Sequence, residues 1–396
     1  MSKKIVCIWE IGAGLGHLTR LRPIVRHATA AGHQVFLIAK QLHNIQTVFD
    51  IRQLTVLQAP HDNTPKPRKI PISWCEMLLL RYQNSDRLAN FLAAWRSVLD
   101  LIEPDLVVYD SAPTALIASL GGRWTKWTVG SPFFMPRIDT AQVGVFPNAD
   151  SNPNSIKRLE NSEAALLSLI GKAHETLAWQ TRLARMHDLL AQADLQMVTT
   201  LPQFDYLGTR QIGEFVGMPA SIDGQTCQPA WPWGSKPKVF AYLKAFHGMR
   251  ALLGALEKSE ASSIIYSRDI SAADKKKFAS LTYLDAPASM DAVCAEADLV
   301  IHMAGSQTVA RCMTSGVTQL LITTAMEQLF TAKSAQQLGA AFVVHDSSAN
   351  FELFIRQALL HARKGRRPFA DARPELLDGS FYDARVATAL AELQAR

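Results

Sequence analysis

Short apolar runs alternate with stretches of helical period along most of this chain, and that alternation predicts an α/β protein built on parallel sheets. Ile5 to Trp9 is the first run that reads as a buried strand, and it breaks at Gly12-Ala13-Gly14-Leu15-Gly16. The spacing then predicts a helix from about Leu18 to Ala31, closed by Gly32, and a strand over Gln34 to Ala39, which together make one βαβ unit. Leu106 to Tyr109 reads as another strand with Asp110 at its carboxyl end, followed by a helix from Thr114 to Gly121. Helical periodicity over Asn161 to Ala193 is long enough to cover the back of the first sheet. Residues 213–238 interrupt the pattern with four prolines and four glycines, the composition of an exposed linker. A second series follows, with strands expected at Val239 to Leu243, Ser263 to Tyr266, Leu299 to His302, Gln319 to Thr323 and Ala341 to Val344. The expected organisation is a first domain over 1–215, a linker over 216–237, a second domain over 238–370, and a helical tail over 371–396 that packs back on the first domain.

Composition narrows the class. With 396 residues, 48% hydrophobic and 19% charged, the chain has the make-up of a globular protein of two or three domains and not of a disordered one. Forty-one basic against 35 acidic residues give a net charge of +6, scattered apart from short clusters at Lys66 to Lys69, Lys275 to Lys277 and Arg363 to Arg367. That balance favours anionic small molecules over an extended nucleic-acid track, so no nucleic-acid partner is expected. Five cysteines without a C-x-x-C pair signal neither a zinc site nor a disulfide framework, and a reducing cytoplasm is the expected compartment. Glu10 and the glycines after it cut short the apolar start, and no run reaches the roughly 18 apolar residues of a spanning helix. The segment His61 to Phe91, with Pro65-Lys66-Pro67-Arg68-Lys69 ahead of Ile72 to Leu80, has two readings: a loop with a core helix, or an element that binds an acceptor or touches a membrane surface. Oligomeric state is left open.

Two constellations carry candidate chemistry. The glycine cluster after the first strand invites a dinucleotide fingerprint, but its third glycine comes too early and no acidic residue ends the second strand. A turn containing Gly14 and Gly16 still lets backbone approach a ligand, and it delivers His17 to a helix start at the rim of the sheet. A histidine there can take a proton from a hydroxyl, and Asp110, at the end of another strand, is its natural carboxylate partner. Asp105 is the alternative but begins that strand, and a second reading makes Asp110 a helix N-cap. The other constellation, Asp298-Leu-Val-Ile-His-Met-Ala-Gly-Ser-Gln-Thr, is a strand running through Gly305, Ser306 and Gln307 into a helix from about Thr308 to Ser315, closed by Gly316. Backbone NH groups and the positive helix end converge in such a turn, which suits a diphosphate. After the next strand, Glu327 and Gln328 stand side by side, an acid and an amide suited to sugar hydroxyls.

Gly-Leu-Gly-His17, Pro104-Asp-Leu-Val-Val-Tyr-Asp110 and the stretch Ala297 to Gly339, with Gly305, Thr308, Gly316-Val317 and Glu327-Gln328 in register, resemble the glycosyltransferases of the GT-B fold. The resemblance is to the large family of plant and bacterial UDP-dependent and macrolide glycosyltransferases, with the lipid-linked N-acetylglucosaminyl transferase of peptidoglycan synthesis more distant. It implies two Rossmann-like α/β domains with parallel sheets facing across a cleft. It also implies an inverting reaction between a nucleotide diphosphate sugar, UDP- or dTDP-linked, on the second domain and a small-molecule or lipid-like acceptor on the first. His17 falls at the general base, Asp110 at the residue that orients it, Gly305 to Thr308 at the donor diphosphate, and Glu327 and Gln328 at the donor sugar. No cofactor is implied beyond the donor, and no metal: the sequence has no D-x-D triplet and no clustered ligand set.

Three departures from the family pattern stand out. The phosphate-binding histidine falls on Met303, with His302 one residue off; the ribose-gripping acid falls on Arg311; and the serine-rich turn opening the second domain reads Tyr242-Leu243-Lys244-Ala245. Lys244 is inferred to supply the missing positive charge at the phosphates. Two rivals share the scaffold, a nucleotide-sugar hydrolase or epimerase and a nucleotide-sugar-binding protein whose catalysis has lapsed. Trp74, Phe133, Phe134 and Phe146 suggest an apolar or aromatic acceptor lining.

Overall fold

The computed structural model describes residues 2–12, 14–43, 45–62, 69–149, 151–220, 227–232, 234, 236–345, 350–369 and 374–395. Ala13, the Pro65 to Arg68 part of the basic run and residues 221–226 of the expected linker lie outside them. The chain divides into two compact units, residues 1–222 together with 378–396, and residues 223–377.

The first unit holds a sheet of β1 (Lys4–Trp9), β2 (Gln34–Ala39), β3 (Thr55–Gln58), β4 (Leu106–Asp110), β5 (Thr125–Gly130), β6 (Leu195–Val198) and β7 (Glu214–Phe215). All its strand pairs are parallel, in the order β3-β2-β1-β4-β5-β6-β7. Every residue of β4 and all but the first of β1 are buried, as expected of strands covered on both faces, which is why these runs are continuously apolar and not alternating. Leu21 and Ile24 from the helix Leu15–Ala30 cover one face of the sheet together with Tyr382, Val386 and Leu390 from the helix Ser380–Ala395. The order of strands reverses at β1: the chain steps outward to β2 and β3, then returns to the other side of β1 with β4. Ligands of open parallel sheets gather at such a point, outside the carboxyl ends of the two central strands.

The second unit repeats the plan with β8 (Lys238–Tyr242), β9 (Ser262–Tyr266), β10 (Thr282–Leu284), β11 (Leu299–His302), β12 (Thr318–Thr323) and β13 (Ala341–His345). Its order is β10-β9-β8-β11-β12-β13, again all parallel, and its reversal lies between β8 and β11. Val239, Ala241, Leu299 and Ile301 feed one core, while Phe240, Ile264 and Val300 feed the other, the two-sided burial that a period of two produces.

The structure departs from the sequence reading in two places. The helical stretch Asn161 to Ala193 is two helices, Pro153–Thr176 and Met186–Ala191, and the longer packs mainly on the helices Trp74–Tyr82 and Ser85–Ile102, not on the sheet itself. The glycine- and proline-rich stretch begins with the edge strand β7, and Val216 and Met218 beside it are buried. Polar positions hide strands of this kind from a periodicity argument: β5 carries Lys126, whose ammonium turns back to the Gly122 carbonyl at 2.8 Å.

Candidate active site

The paired ends of β1 and β4 set the candidate site of the first unit, because Trp9 and Asp110 are partners in the register of those strands. The chain leaves β1 through Gly12, with φ of 96°, and Gly14, with φ of 93° as the N-cap of the helix Leu15–Ala30; His17 lies in the first turn of that helix. The imidazole stacks on Trp9 at 4.8 Å and meets the edge of Phe134 at 5.7 Å. Its Nδ1 lies 3.0 Å from Asp110 Oδ2. Asp110 is fully buried and Ser111 Oγ donates to its Oδ1 at 2.9 Å. Burial alone would raise the Asp110 pKa, but Arg20 and His17 outweigh it and hold the carboxyl below its ordinary range. An ionised carboxylate accepts and does not donate, so Asp110 favours the tautomer with the proton on Nδ1, whereas the Arg20 Nη2 donor 2.8 Å from the same nitrogen favours the opposite one.

Arg20 and Gly12 are the members of this group that sequence reasoning missed. Arg20 stands three residues after His17, a spacing that puts both on one helical face, and its guanidinium reaches Asp110 at 3.2 and 3.3 Å. A Cβ built on Gly12 would lie 2.2 Å from His17 Nε2, so the ring occupies the space a side chain would need. At Gly16 a Cβ meets nothing within 4 Å. Gly12→Ala is therefore expected to displace the imidazole and lower activity at least tenfold, with about 1–3 kcal/mol of backbone strain in addition. Gly16→Ala, inside the helix, should be neutral or slightly stabilising. Paired turnover and thermal-unfolding measurements on the two variants check this, and equal effects would refute the packing argument.

The carboxylate that caps the helix Pro113–Ala118 is that of Glu10, which accepts from the Thr114 and Ala115 amides at 2.9 and 3.3 Å and from the Thr114 hydroxyl. Arg81 pairs with it at 3.1 Å. Asp110 is thus left to His17, Arg20 and Ser111. Beside these groups lies a small recess of about 30 Å³ whose walls include Trp74, Ser111, Leu116, Phe134, Met135 and Gln196. Phe133 and Phe146 are buried and stack on each other at 5.1 Å behind Phe134, so of the four aromatic residues expected at an acceptor lining, Trp74 and Phe134 reach the recess. Trp74 belongs to the helix Trp74–Tyr82, which Ser73 caps and which turns Cys75, Leu78 and Tyr82 into the interior.

In the second unit the candidate residues gather at the reversal between β8 and β11. Lys244 follows β8 and is exposed, and the turn after β11 passes through Ala304, a non-glycine residue at φ of 51°. Gly305 is the N-cap of the helix Ser306–Ser315, whose first internal bond runs from the Val309 amide to the Gly305 carbonyl at 2.9 Å. The amides of Ser306, Gln307 and Thr308 therefore stand ahead of that bond, at the positive end of the helix. Gly316 closes the helix at φ of 68°, where a Cβ would strike the Arg367 and Pro368 backbone at 2.5–2.7 Å. Gln328 uses its side-chain oxygen to cap the helix Met326–Gln337, accepting from the Thr324 amide at 2.9 Å and the Ala325 amide at 3.1 Å. Its NH₂ end and the half-buried Glu327 lie in the same first turn.

The three departures from the family pattern acquire physical content here. Met303 is packed into the unit's core. His302 points to the other face, buried against Gln319 Oε1 at 3.0 Å, and burial pushes its pKa down to about 4, so it is a neutral interior group. Arg311 forms an ion pair at 2.7 Å with Asp291 of the neighbouring helix Met290–Glu296. A carboxylate thus stands next to the position where the acid is missing. Among the described residues no cluster of three or more His, Cys, Asp or Glu could hold a metal ion, and no helix is long and apolar enough to cross a membrane.

Residues 257–382 match the family model of the glycosyltransferase family 28 C-terminal domain, a stretch that contains Gly305, Arg311, Glu327 and Gln328. The fold is of the GT-B kind, shared with solved glycosyltransferases. Among solved structures, the calicheamicin glycosyltransferase CalG4 superposes with a TM-score of 0.64 at 16% identity, over 100% of this chain and 99% of that one. The glycosyltransferase VinC in complex with DTDP gives 0.62 at 16%, over 99% and 98%. The spinosyn rhamnosyltransferase SpnG complexed with spinosyn aglycone gives 0.53 at 16%, over 99% and 96%. No curated protein matches in sequence.

Proposed function

We propose that the chain is an inverting, metal-independent glycosyltransferase that moves a sugar from a nucleotide diphosphate sugar, UDP- or dTDP-linked, to a small-molecule or lipid-like acceptor. The observation that carries this reading is the His17–Asp110 pair at the reversal point of the first sheet, beside an apolar recess. With Asp110 holding the Nδ1 proton, His17 takes the acceptor hydroxyl's proton as the oxygen attacks the anomeric carbon and the bond to the diphosphate breaks on the opposite face. The amides of residues 306–308, the helix end and Lys244 receive the charge left on the diphosphate. Glu327 and the Gln328 amide hold sugar hydroxyls, and Asp291, held by Arg311, stands in for the ribose acid. Complexes of structural neighbours with DTDP and with spinosyn aglycone support the same two ligand classes here.

Nucleotide binding tests the donor half. UDP or dTDP at 100 times its Kd should add about 2.7 kcal/mol of stability, read as a rise in Tm. Lys244→Ala should weaken that binding about tenfold while leaving the unliganded Tm in place. Product sugar with retained configuration, turnover abolished by a chelator, or free sugar released at a rate no acceptor raises would each overturn the reading.

A further inference from the structure

Two charges of opposite sign bear on one nitrogen of the His17 ring. Asp110 Oδ2 is 3.0 Å from Nδ1 and Arg20 Nη2 is 2.8 Å from it. Arg20 also spans the carboxylate, with Nε 3.3 Å from Oδ2 and Nη2 3.2 Å from Oδ1. Arg20 is 8% exposed and Asp110 0%, so solvent screens these charges little. A buried carboxylate alone at this distance favours the imidazolium form, and an imidazolium accepts no further proton. A guanidinium at the same distance opposes it.

We propose that Arg20 is a positioning residue for His17: by gripping Asp110 and bearing on Nδ1, its charge offsets the pull of the carboxylate and holds the imidazole neutral near neutral pH. The proposal rests on His17 being the base. Other described groups also face the ring or the residues around it. From β1 and its turn come the Trp9 ring and the Gly12 carbonyl, which accepts from Lys40 Nζ at 2.9 Å. Phe134 lies at the ring edge, and Ser111 Oγ is 3.4 Å from Nδ1. From the helix Ser380–Ala395, Tyr382 donates its hydroxyl to the Arg20 carbonyl at 2.7 Å, and burial raises its pKa well above the ordinary value, so it stays neutral. Cys7 in the same core is likewise neutral, its thiol pushed up to about 12 by burial. Glu10 is committed to Arg81 and to the helix it caps. Arginine suits the task because its planar fork meets both carboxylate oxygens while its delocalised charge lies beside the ring.

A ¹⁵N NMR titration of the ligand-free, full-length protein with labelled histidine reads the ring directly, the His17 signal being the one lost in His17→Gln. The wild-type ring should titrate at or below about 7, against an ordinary value of about 6.5. Arg20→Met should raise that pKa by about 1–3 units, and Arg20→Lys, which keeps the charge, should raise it less. A wild-type value above about 7, or an Arg20→Met ring that titrates as the wild type does, overturns the proposal. Where Arg20→Met does not fold by circular dichroism, the wild-type titration decides by itself. The titration reports the proton and not the reaction, so a shifted ring together with full turnover in His17→Ala would sink the base assignment while the charge balance stood.

Discussion

Replacing His17 by alanine is expected to lower turnover by about 10² to 10⁴ while nucleotide affinity stays nearly unchanged. The size of the loss follows from general base catalysis, because the attacking hydroxyl must shed its proton as the new bond forms and water is a poor substitute for an oriented imidazole. The separation of effects follows from the topology: His17 sits on the helix after β1 in the first unit, whereas Lys244 and the Ser306 to Thr308 amides belong to the second. Steady-state kinetics combined with calorimetric titration of UDP or dTDP checks both parts. Unchanged turnover removes His17 from the chemistry, and a parallel loss of nucleotide affinity would mean the variant had disturbed more than the base.

Asp110→Asn should produce the largest loss of stability among single changes at the site. Asp110 is 0% exposed, and the isosteric amide leaves the Arg20 guanidinium buried without its counter-charge. Breaking a buried pair from one side costs about 3–5 kcal/mol. The same carboxylate makes the wild-type unit acid-sensitive. Its folded pKa lies below the ordinary 3.8, so its contribution is fully present above that value and is lost as pH falls below it through the folded pKa. Calorimetric unfolding from pH 7 to pH 3 should show the wild-type advantage over Asp110→Asn shrinking at the acid end. A variant with wild-type Tm at pH 7, or a gap that widens in acid, would rule out a charged Asp110 in the folded protein.

In both units the proposed site residues stand where the strand order reverses. His17 and Asp110 leave β1 and β4, while Lys244 and the Gly305 turn leave β8 and β11. The residues at these exits include two non-glycine positions at positive φ, Ser111 at 52° and Ala304 at 51°. Local strain of that kind persists only where the surrounding packing over-determines the backbone.

Periodicity and turn chemistry along the chain were sufficient for the central strands, for the α/β class and for the placing of His17, Asp110 and Gly305 at strand exits. Buried parallel strands are continuously apolar, and the glycines that follow them are legible without any tertiary knowledge. Marginal strands such as β5, β6 and β7 were not, since they are short or carry polar residues whose burial depends on neighbours distant in the chain. The same limit applied to the chemistry. That Gly12 makes room for the ring, that Glu10 and not Asp110 caps the helix Pro113–Ala118, that His302 faces Gln319, and above all that Arg20 shares Asp110 with His17 are contacts between residues up to 104 positions apart. Residue type and spacing say which groups can ionise or donate, but which charge neutralises which is settled only when the fold takes them out of water and limits the partners within reach of each.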